Sequence, residues 1–310
     1  MAQTFRDWEL LVVDDGSTDR TAEIIRSAIS RDTRIRLVGS KRIGLVGALQ
    51  RGVAASRGEY LARMDADDIS HPERLAEQMK CFARDPDLAL LGTQIQCFPE
   101  ESVEGGMRRY AHWLNSLSTP EEIRRSIFVE SPFCHPSVVM RKQAYERVGG
   151  YVDDGLPEDY GLWLRFDRNR LPMAKVPRVL FYWRESALRL TRTDPRYGRD
   201  RFMELKLQNL LQGPLLSRKA VVIWGAGKEG RKWQKALQLR NIQTRHFIDV
   251  DPRKIAEGVR GVPVYGPDAE SCGSGCLILA AVGTVGIRDR IRQYLFGLGL
   301  KERRHFICII

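Results

Sequence analysis

Short apolar runs alternate with amphipathic stretches through the first seventy residues. Trp8-Glu9-Leu10-Leu11-Val12-Val13 is apolar and breaks at Asp14-Asp15-Gly16-Ser17-Thr18-Asp19, which predicts a strand closed by an acidic turn. Thr18 or Asp19 can cap a helix over Arg20 to Ser30, with Ala22, Ile25 and Ile29 along one side. Arg34 to Val38 reads as a second strand and residues 44–56 as a helix punctuated by glycine. A third apolar run climbs from Gly58 through Tyr60, Leu61 and Met64, then ends in Asp65-Ala66-Asp67-Asp68. Strand, helix, strand, helix, strand implies a parallel sheet with right-handed crossovers. Asp14-Asp15 and Asp65-Asp67 would then share the sheet edge at which open α/β folds receive ligands.

The pattern restarts near residue 200. Arg199 to Gln212 has helical spacing of Phe202, Leu205, Leu207, Leu210 and Leu211, and Gly213-Pro214 breaks it. Lys219 to Trp224 is a strand that leads into Gly225-Ala226-Gly227-Lys228-Glu229-Gly230 and a helix, which fits a dinucleotide fingerprint. Thr244–Ile248 is a further strand ending near Asp249, where a ribose-binding acid belongs, and Leu277–Gly283 is a third. The expected division is 1–198, a helical linker 199–217, and a small Rossmann-like domain 218–310. In that last segment, Gly225, Gly227, Gly230 and Asp249 either hold a nucleotide at the helix start or serve close helix–strand packing.

Length and composition suit two soluble domains: 310 residues, 43% hydrophobic and 29% charged. No stretch is long and apolar enough for a membrane-spanning helix, and the amino terminus lacks the apolar middle of a signal peptide. Six scattered cysteines favour reduced thiols, and with them a cytoplasmic setting, over a disulfide framework. The net charge of +11 is uneven, with 21 basic against 26 acidic side chains in 1–162 and 29 against 13 in 163–310. A nucleic-acid partner is not expected, because no basic helix interleaved with aromatics is present. The basic rear half suits either peripheral attraction to anionic lipid headgroups or a solvated arginine-rich face.

Three carboxylates within four residues repel one another unless a cation holds them. A hard divalent ion, Mg²⁺ or Mn²⁺, takes oxygen ligands and bridges to phosphates. The competing reading is an acidic turn in which Asp68 or Ser70 caps the helix beginning near Pro72. Arg63 and Arg74 flank the triplet and suit either phosphate contact or pairing with those aspartates. Glu158-Asp159 likewise suits either chemistry or the capping of a helix over 159–167.

Taken together, Val12 to Asp19, Gly58-Glu59-Tyr60 and Met64 to Asp68 resemble the nucleotide-sugar-binding half of family 2 glycosyltransferases. Pro157-Glu158-Asp159-Tyr160-Gly161-Leu162-Trp163-Leu164 is similar to the acceptor-side motif of that family. His135 to Arg141 and Val148-Gly149-Gly150-Tyr151 are similar to the segment before it. The resemblance covers about residues 3–200. It implies a GT-A-like, mostly parallel α/β sheet and metal-dependent, inverting transfer from a nucleotide-diphosphate sugar to a glycan or lipid-linked hydroxyl. It assigns Asp67 and Asp65 to the metal, Asp14, Asp15 and Asp65 to the donor, Asp159 to the general base and Glu158 to its support, while Arg63 is a donor candidate by its place beside the triplet alone. Arg184, with Arg189 and Arg192, falls where the family carries a lid. His135 is expected to pack near the acceptor pocket. The family opens with a further strand and helix and this chain starts after them, so an exposed apolar edge beside Leu10–Val13 is expected. That departure keeps a non-catalytic nucleotide-sugar-binding protein as the alternative. A two-carboxylate glycoside hydrolase is disfavoured by the clustering of the aspartates.

Overall fold

The computed structural model describes residues 2–39, 41–273 and 275–310. The chain forms two compact units, Met1–Ile123 with Pro132–Phe202, and Arg124–Ser131 with Met203–Ile310. The helix Arg199–Leu211 is therefore divided between them.

In the first unit, β1 (Leu10–Val12) and β2 (Ile35–Leu37) pair in parallel across the helix Thr21–Ile29. That helix turns Ile25 inward, as its apolar spacing predicts. β3 (Tyr60–Ala62), β4 (Ile69–Ser70), β5 (Leu90–Phe98), β6 (Val139–Arg141) and β7 (Met173–Arg184) form a second sheet in the order β3-β6-β5-β7-β4. Here the structure departs from the expected crossover pattern. β3 does not join β1 and β2 but pairs antiparallel with β6, Leu61 opposite Met140. The reason lies far along the chain, since β6 is apolar and buried on both faces, with Val139 on one and Met140 on the other, which the local pattern around β3 does not reveal.

β5 and β7 run parallel through the centre of this sheet. The register slips around Thr93 and Gln94, opposite Pro177-Arg178, because proline cannot donate to the ladder. Phe82, Leu88, Leu91, Val139, Val176 and Leu180 pack as one core cluster. Each such side chain contributes roughly 1.5–3 kcal/mol on burial. Tyr60 of β3 packs against this cluster.

The second unit is an all-parallel sheet of β8 (Ala220–Trp224), β9 (Gln243–Ile248), β10 (Val264–Tyr265), β11 (Leu277–Ala280) and β12 (Phe306–Cys308), in the order β10-β9-β8-β11-β12. Strand order reverses at β8, which opens the crevice where such sheets receive ligands. Residues 124–131 belong to this unit. Lys206 Nζ donates to Val129 O at 2.7 Å and Ile309 O at 3.3 Å, Arg125 lies 3.6 Å from Glu302, and Arg303 covers the Phe128 ring. No helix among the described residues is long and apolar enough to cross a membrane.

Glycine at 230 is required by contact distance. A Cβ there would lie 1.7 Å from Gly225 O, a backbone atom that cannot swing aside. Gly230→Ala is therefore expected to lower the stability of the second unit by about 3 kcal/mol, outweighing the roughly 1 kcal/mol that alanine gains in a helix. A fall in the urea midpoint of that unit measures it, and an unchanged midpoint refutes it.

Candidate active site

β3 ends at Ala62, but Arg63 N still donates to Val138 O at 3.0 Å, so the chain keeps to β6 for one more residue before turning. The turn brings carboxylate oxygens of Asp65, Asp67 and Asp68 within 4.8 Å of one another. Arg63, almost wholly buried, pairs with Asp65. Burial alone would lower the Arg63 pKa, but the Asp65 carboxylate beside it holds it above the ordinary value. Arg184 clamps the turn from β7: its N–H donates to Asp68 Oδ1 at 2.7 Å and its Nε to Asp67 O at 2.7 Å, with the guanidinium 4.5 Å from the Phe98 ring.

Asp68 is buried, and burial pushes its carboxyl up to about 7, with Asp65 and Asp67 adding to the rise. Its Oδ2 is buried without a hydrogen-bond partner. An orphaned anionic oxygen beside two further carboxylates fits a hard divalent cation, which prefers oxygen ligands. Asp68 does not cap the next helix. Arg74–Arg84 starts at Glu73 with no side-chain cap, and His71 Nδ1 accepts from Glu73 N. Arg74, also flanking the triplet in sequence, is buried and donates to Pro136 O at 2.7 Å, beneath the Phe181 ring.

Asp14 and Asp15 stand at the end of β1 and are used locally. Asp14 Oδ1 accepts from Ser17 N at 2.9 Å, and the Ser17 hydrogen bonds hold its carboxyl below the usual range. Asp15 accepts from Ile43 N and Gly44 N at the start of the helix Gly44–Ala55. Their hydrogen bonds do not reach the triplet.

Glu158 and Asp159 open the helix Glu158–Arg168 after Pro157, and neither side chain caps it from the N-cap position. Glu158 is buried; its Oε2 accepts from the Tyr197 hydroxyl at 2.7 Å and its Oε1 lies 3.8 Å from His135 Nδ1. Burial, with Arg63 adding, holds the His135 pKa well below its ordinary value, so the ring is neutral, and its Nε2 lies 2.7 Å from the Tyr151 hydroxyl. The Gly149-Gly150 turn delivers Tyr151 to that position. Gly150 has φ +61, and a Cβ there would collide with the Tyr145 ring.

Asp159 is half-buried and accepts from Tyr160 N at 2.7 Å. Burial raises the pKa of both carboxyls, and for Asp159 the Glu158 charge adds to it. Arg63 opposes the rise in each, as it does for Asp68. One buried guanidinium thus bears on the charge of Asp68 and of the Glu158-Asp159 pair.

In the second unit Gly225 takes φ +104, and Gly230 packs against the Gly225 carbonyl. Gly227 meets nothing within 4 Å of a would-be Cβ and precedes the helix Lys228–Gln238 without a side-chain cap. Asp249 is already engaged: its Oδ2 accepts from Ala226 N at 2.8 Å and lies 3.1 Å from Lys254 Nζ.

Of the residues at the candidate site, Asp68 was legible in two ways and Tyr197 not at all. Asp68 stood in view as the third carboxylate but was legible equally as a helix cap. Tyr197 sits in the turn Pro195–Tyr197 of an arginine-rich stretch, with no local signal of its reach to Glu158.

The profile of Glycosyl transferase family 2 matches residues 1–149, and that of the CoA binding domain matches 217–270. An uncharacterized glycosyltransferase of Haemophilus influenzae is 30% identical over 185 residues, which is 59% of this chain and 67% of that protein. The amylovoran biosynthesis glycosyltransferase AmsE of Erwinia amylovora is 31% identical over 179 residues, 57% of this chain and 65% of its own. The chain covers 66%, 25% and 14% of the length of three further curated relatives. Among solved structures, S. aureus TarS 1–349 in complex with UDP-GlcNAc shares the fold with a TM-score of 0.54 at 17% identity, over 68% of this chain and 60% of that one. With its acidic strand end, its Glu-Asp helix start and this degree of identity to a relative covered over two thirds of its length, the chain belongs to glycosyl transferase family 2.

Proposed function

We propose that this protein transfers a sugar from a nucleotide-diphosphate donor to a hydroxyl acceptor, with inversion and with the help of a divalent cation, in the assembly of a polysaccharide. The observation that carries the reading is the Asp65-Asp67-Asp68 cluster, whose carboxylate oxygens lie within 4.8 Å of one another at the end of β3, with Arg63 paired to Asp65 and Arg184 hydrogen-bonded to Asp67 and Asp68. The names of the relatives, in amylovoran and O-antigen biosynthesis, support the polysaccharide setting.

Asp65, Asp67 and Asp68 would hold Mg²⁺ or Mn²⁺, which when bound supplies Lewis-acid charge to the leaving diphosphate. Arg63 and Arg184 add positive charge on the same side. Asp14 and Asp15 keep the loop after β1 in shape for the nucleoside. Asp159 accepts the proton of the acceptor hydroxyl as its oxygen bonds to the anomeric carbon. The bond from that carbon to the diphosphate breaks on the opposite face, and its electron pair leaves with the nucleoside diphosphate. The basic 163–310 half suits an acceptor carried on lipid at an anionic surface. In the second unit, the open Gly227 and the uncapped helix start suit a nucleotide's phosphates. A ribose on Asp249 would have to displace Lys254.

Nucleoside diphosphate release from a panel of UDP-, GDP- and dTDP-sugars tests the reading. Release is expected with Mn²⁺ or Mg²⁺ and not in EDTA. Release that ignores the chelator removes the cation from the proposal, and no release from any donor removes transfer itself.

A further inference from the structure

Behind Asp159 stands a side chain that family resemblance does not assign. The chain leaves β7 at Arg184, forms the turn Pro195–Tyr197, and there returns a tyrosine to the start of the 158–168 helix. The Tyr197 hydroxyl meets Glu158 Oε2 at 2.7 Å. The turn is itself anchored: Asp194 accepts from Arg196 N at 2.9 Å and from Arg196 Nε at 3.1 Å, and Arg196 lies 3.7 Å from Asp153.

We propose that Tyr197 is a positioning residue that acts through Glu158: by donating its hydroxyl to that carboxylate it keeps the charge there, and the charge beside Asp159 makes Asp159 the stronger base. The inference rests on the reading of Asp159 as the general base.

The groups facing Glu158 leave few other means of control. From the 195–197 turn come Tyr197 and Arg196, from the end of β3 comes Arg63, from the 135–137 turn comes neutral His135, and Tyr151 and Asp159 complete the set. His135 Nδ1, at 3.8 Å, is outside hydrogen-bond range. Among the described residues Tyr197 is thus the only side chain that donates a hydrogen bond to Glu158. Burial and the two carboxylates hold the tyrosine itself protonated, so the donor is present throughout the working pH range. Two adjacent carboxyls titrate as a pair, and the one with the better donor ionises first. On this proposal Glu158, which holds the Tyr197 hydroxyl, ionises first, and Asp159, which accepts from the Tyr160 backbone N–H, loses its proton second, against a neighbouring negative charge.

Removing the hydroxyl reverses the order. In Tyr197→Phe, Glu158 keeps its proton longer, and Asp159 ionises beside a neutral acid. The carboxyl ¹³C titration of the protein reads this with no substrate. The Asp159 midpoint is expected to fall by about one pH unit, a tenfold change in proton affinity, and the Glu158 midpoint to rise. Glu158→Gln places a permanently neutral group at 158 and is expected to lower the Asp159 midpoint as well, with Tyr197→Phe adding nothing to it. In turnover, the acid limb of the pH profile should move down with the midpoint, whereas a merely structural tyrosine would lower activity at every pH and leave the limb in place.

An Asp159 midpoint unmoved in either variant overturns the proposal. Retention of turnover by Asp159→Asn would instead refute the base assignment. The two failures are therefore distinct.

Discussion

Asp159→Asn is expected to lower turnover by about a thousandfold and, at pH 8, to make the protein more stable. Loss of a positioned general base costs in the range of roughly 10²–10⁴ in rate. The gain in stability follows from the sign of the pKa shift. Burial and the Glu158 charge raise the Asp159 carboxyl from 3.8 in the unfolded chain to about 7 in the folded one. A carboxyl raised by folding favours the folded state when protonated, and stability is lost as pH climbs from the unfolded value through the folded one. At pH 8 the ionised side chain costs on the order of 2 kcal/mol, after allowance for its partial exposure and for sharing with Glu158. Asparagine carries no charge and can still accept from Tyr160 N. Its melting temperature should exceed that of the parent by about 4–8 °C at pH 8, the difference shrinking as pH falls and vanishing near pH 4. Turnover in the parent should rise with pH through about 7. An Asp159→Asn protein that turns over within tenfold of the parent would place the base elsewhere.

Asp67→Ala separates binding from folding in the opposite way. The Asp67 side chain is exposed, and the turn engages that residue through its carbonyl, which accepts from Arg184. Removing the carboxylate should leave stability within about 0.5 kcal/mol of the parent. It should weaken Mn²⁺ binding in the presence of nucleoside diphosphate by about a hundredfold, near 2.7 kcal/mol. Electron paramagnetic resonance of free Mn²⁺ measures the affinity, and thermal unfolding supplies the control. Asp68 offers no such clean test, because its Oδ1 holds Arg184 N and its loss would loosen the turn. Unchanged Mn²⁺ affinity in Asp67→Ala would mean that the three carboxylates serve the turn alone.

Much of this site could be read along the chain because its parts are local. The strand that ends in Asp65-Ala66-Asp67-Asp68, the helix that opens with Glu158-Asp159 and the glycine loop before Lys228 each lie within a dozen residues. Periodicity and spacing carry information at that range. The rest depended on partners distant in sequence. β3 takes its neighbour from Val139–Arg141, Arg184 reaches back to Asp67 and Asp68, and Tyr197 reaches back to Glu158. Asp249 suited a ribose by its place after β9, but Ala226 N and Lys254 already occupy its oxygen. A pattern reports which groups a segment offers; packing decides which of them are already spent.

The small stretch Arg124–Ser131 has a consequence for how such a protein could have been assembled. It is covalently part of the stretch that leads to His135, yet it folds with Lys206, Glu302 and Arg303. The polypeptide passes between its two bodies three times rather than once. A single crossover in the gene would therefore hand on one body with a piece missing and the other with a piece too many. Grafting either body alone onto another protein would have to rebuild the strip at residues 124–131.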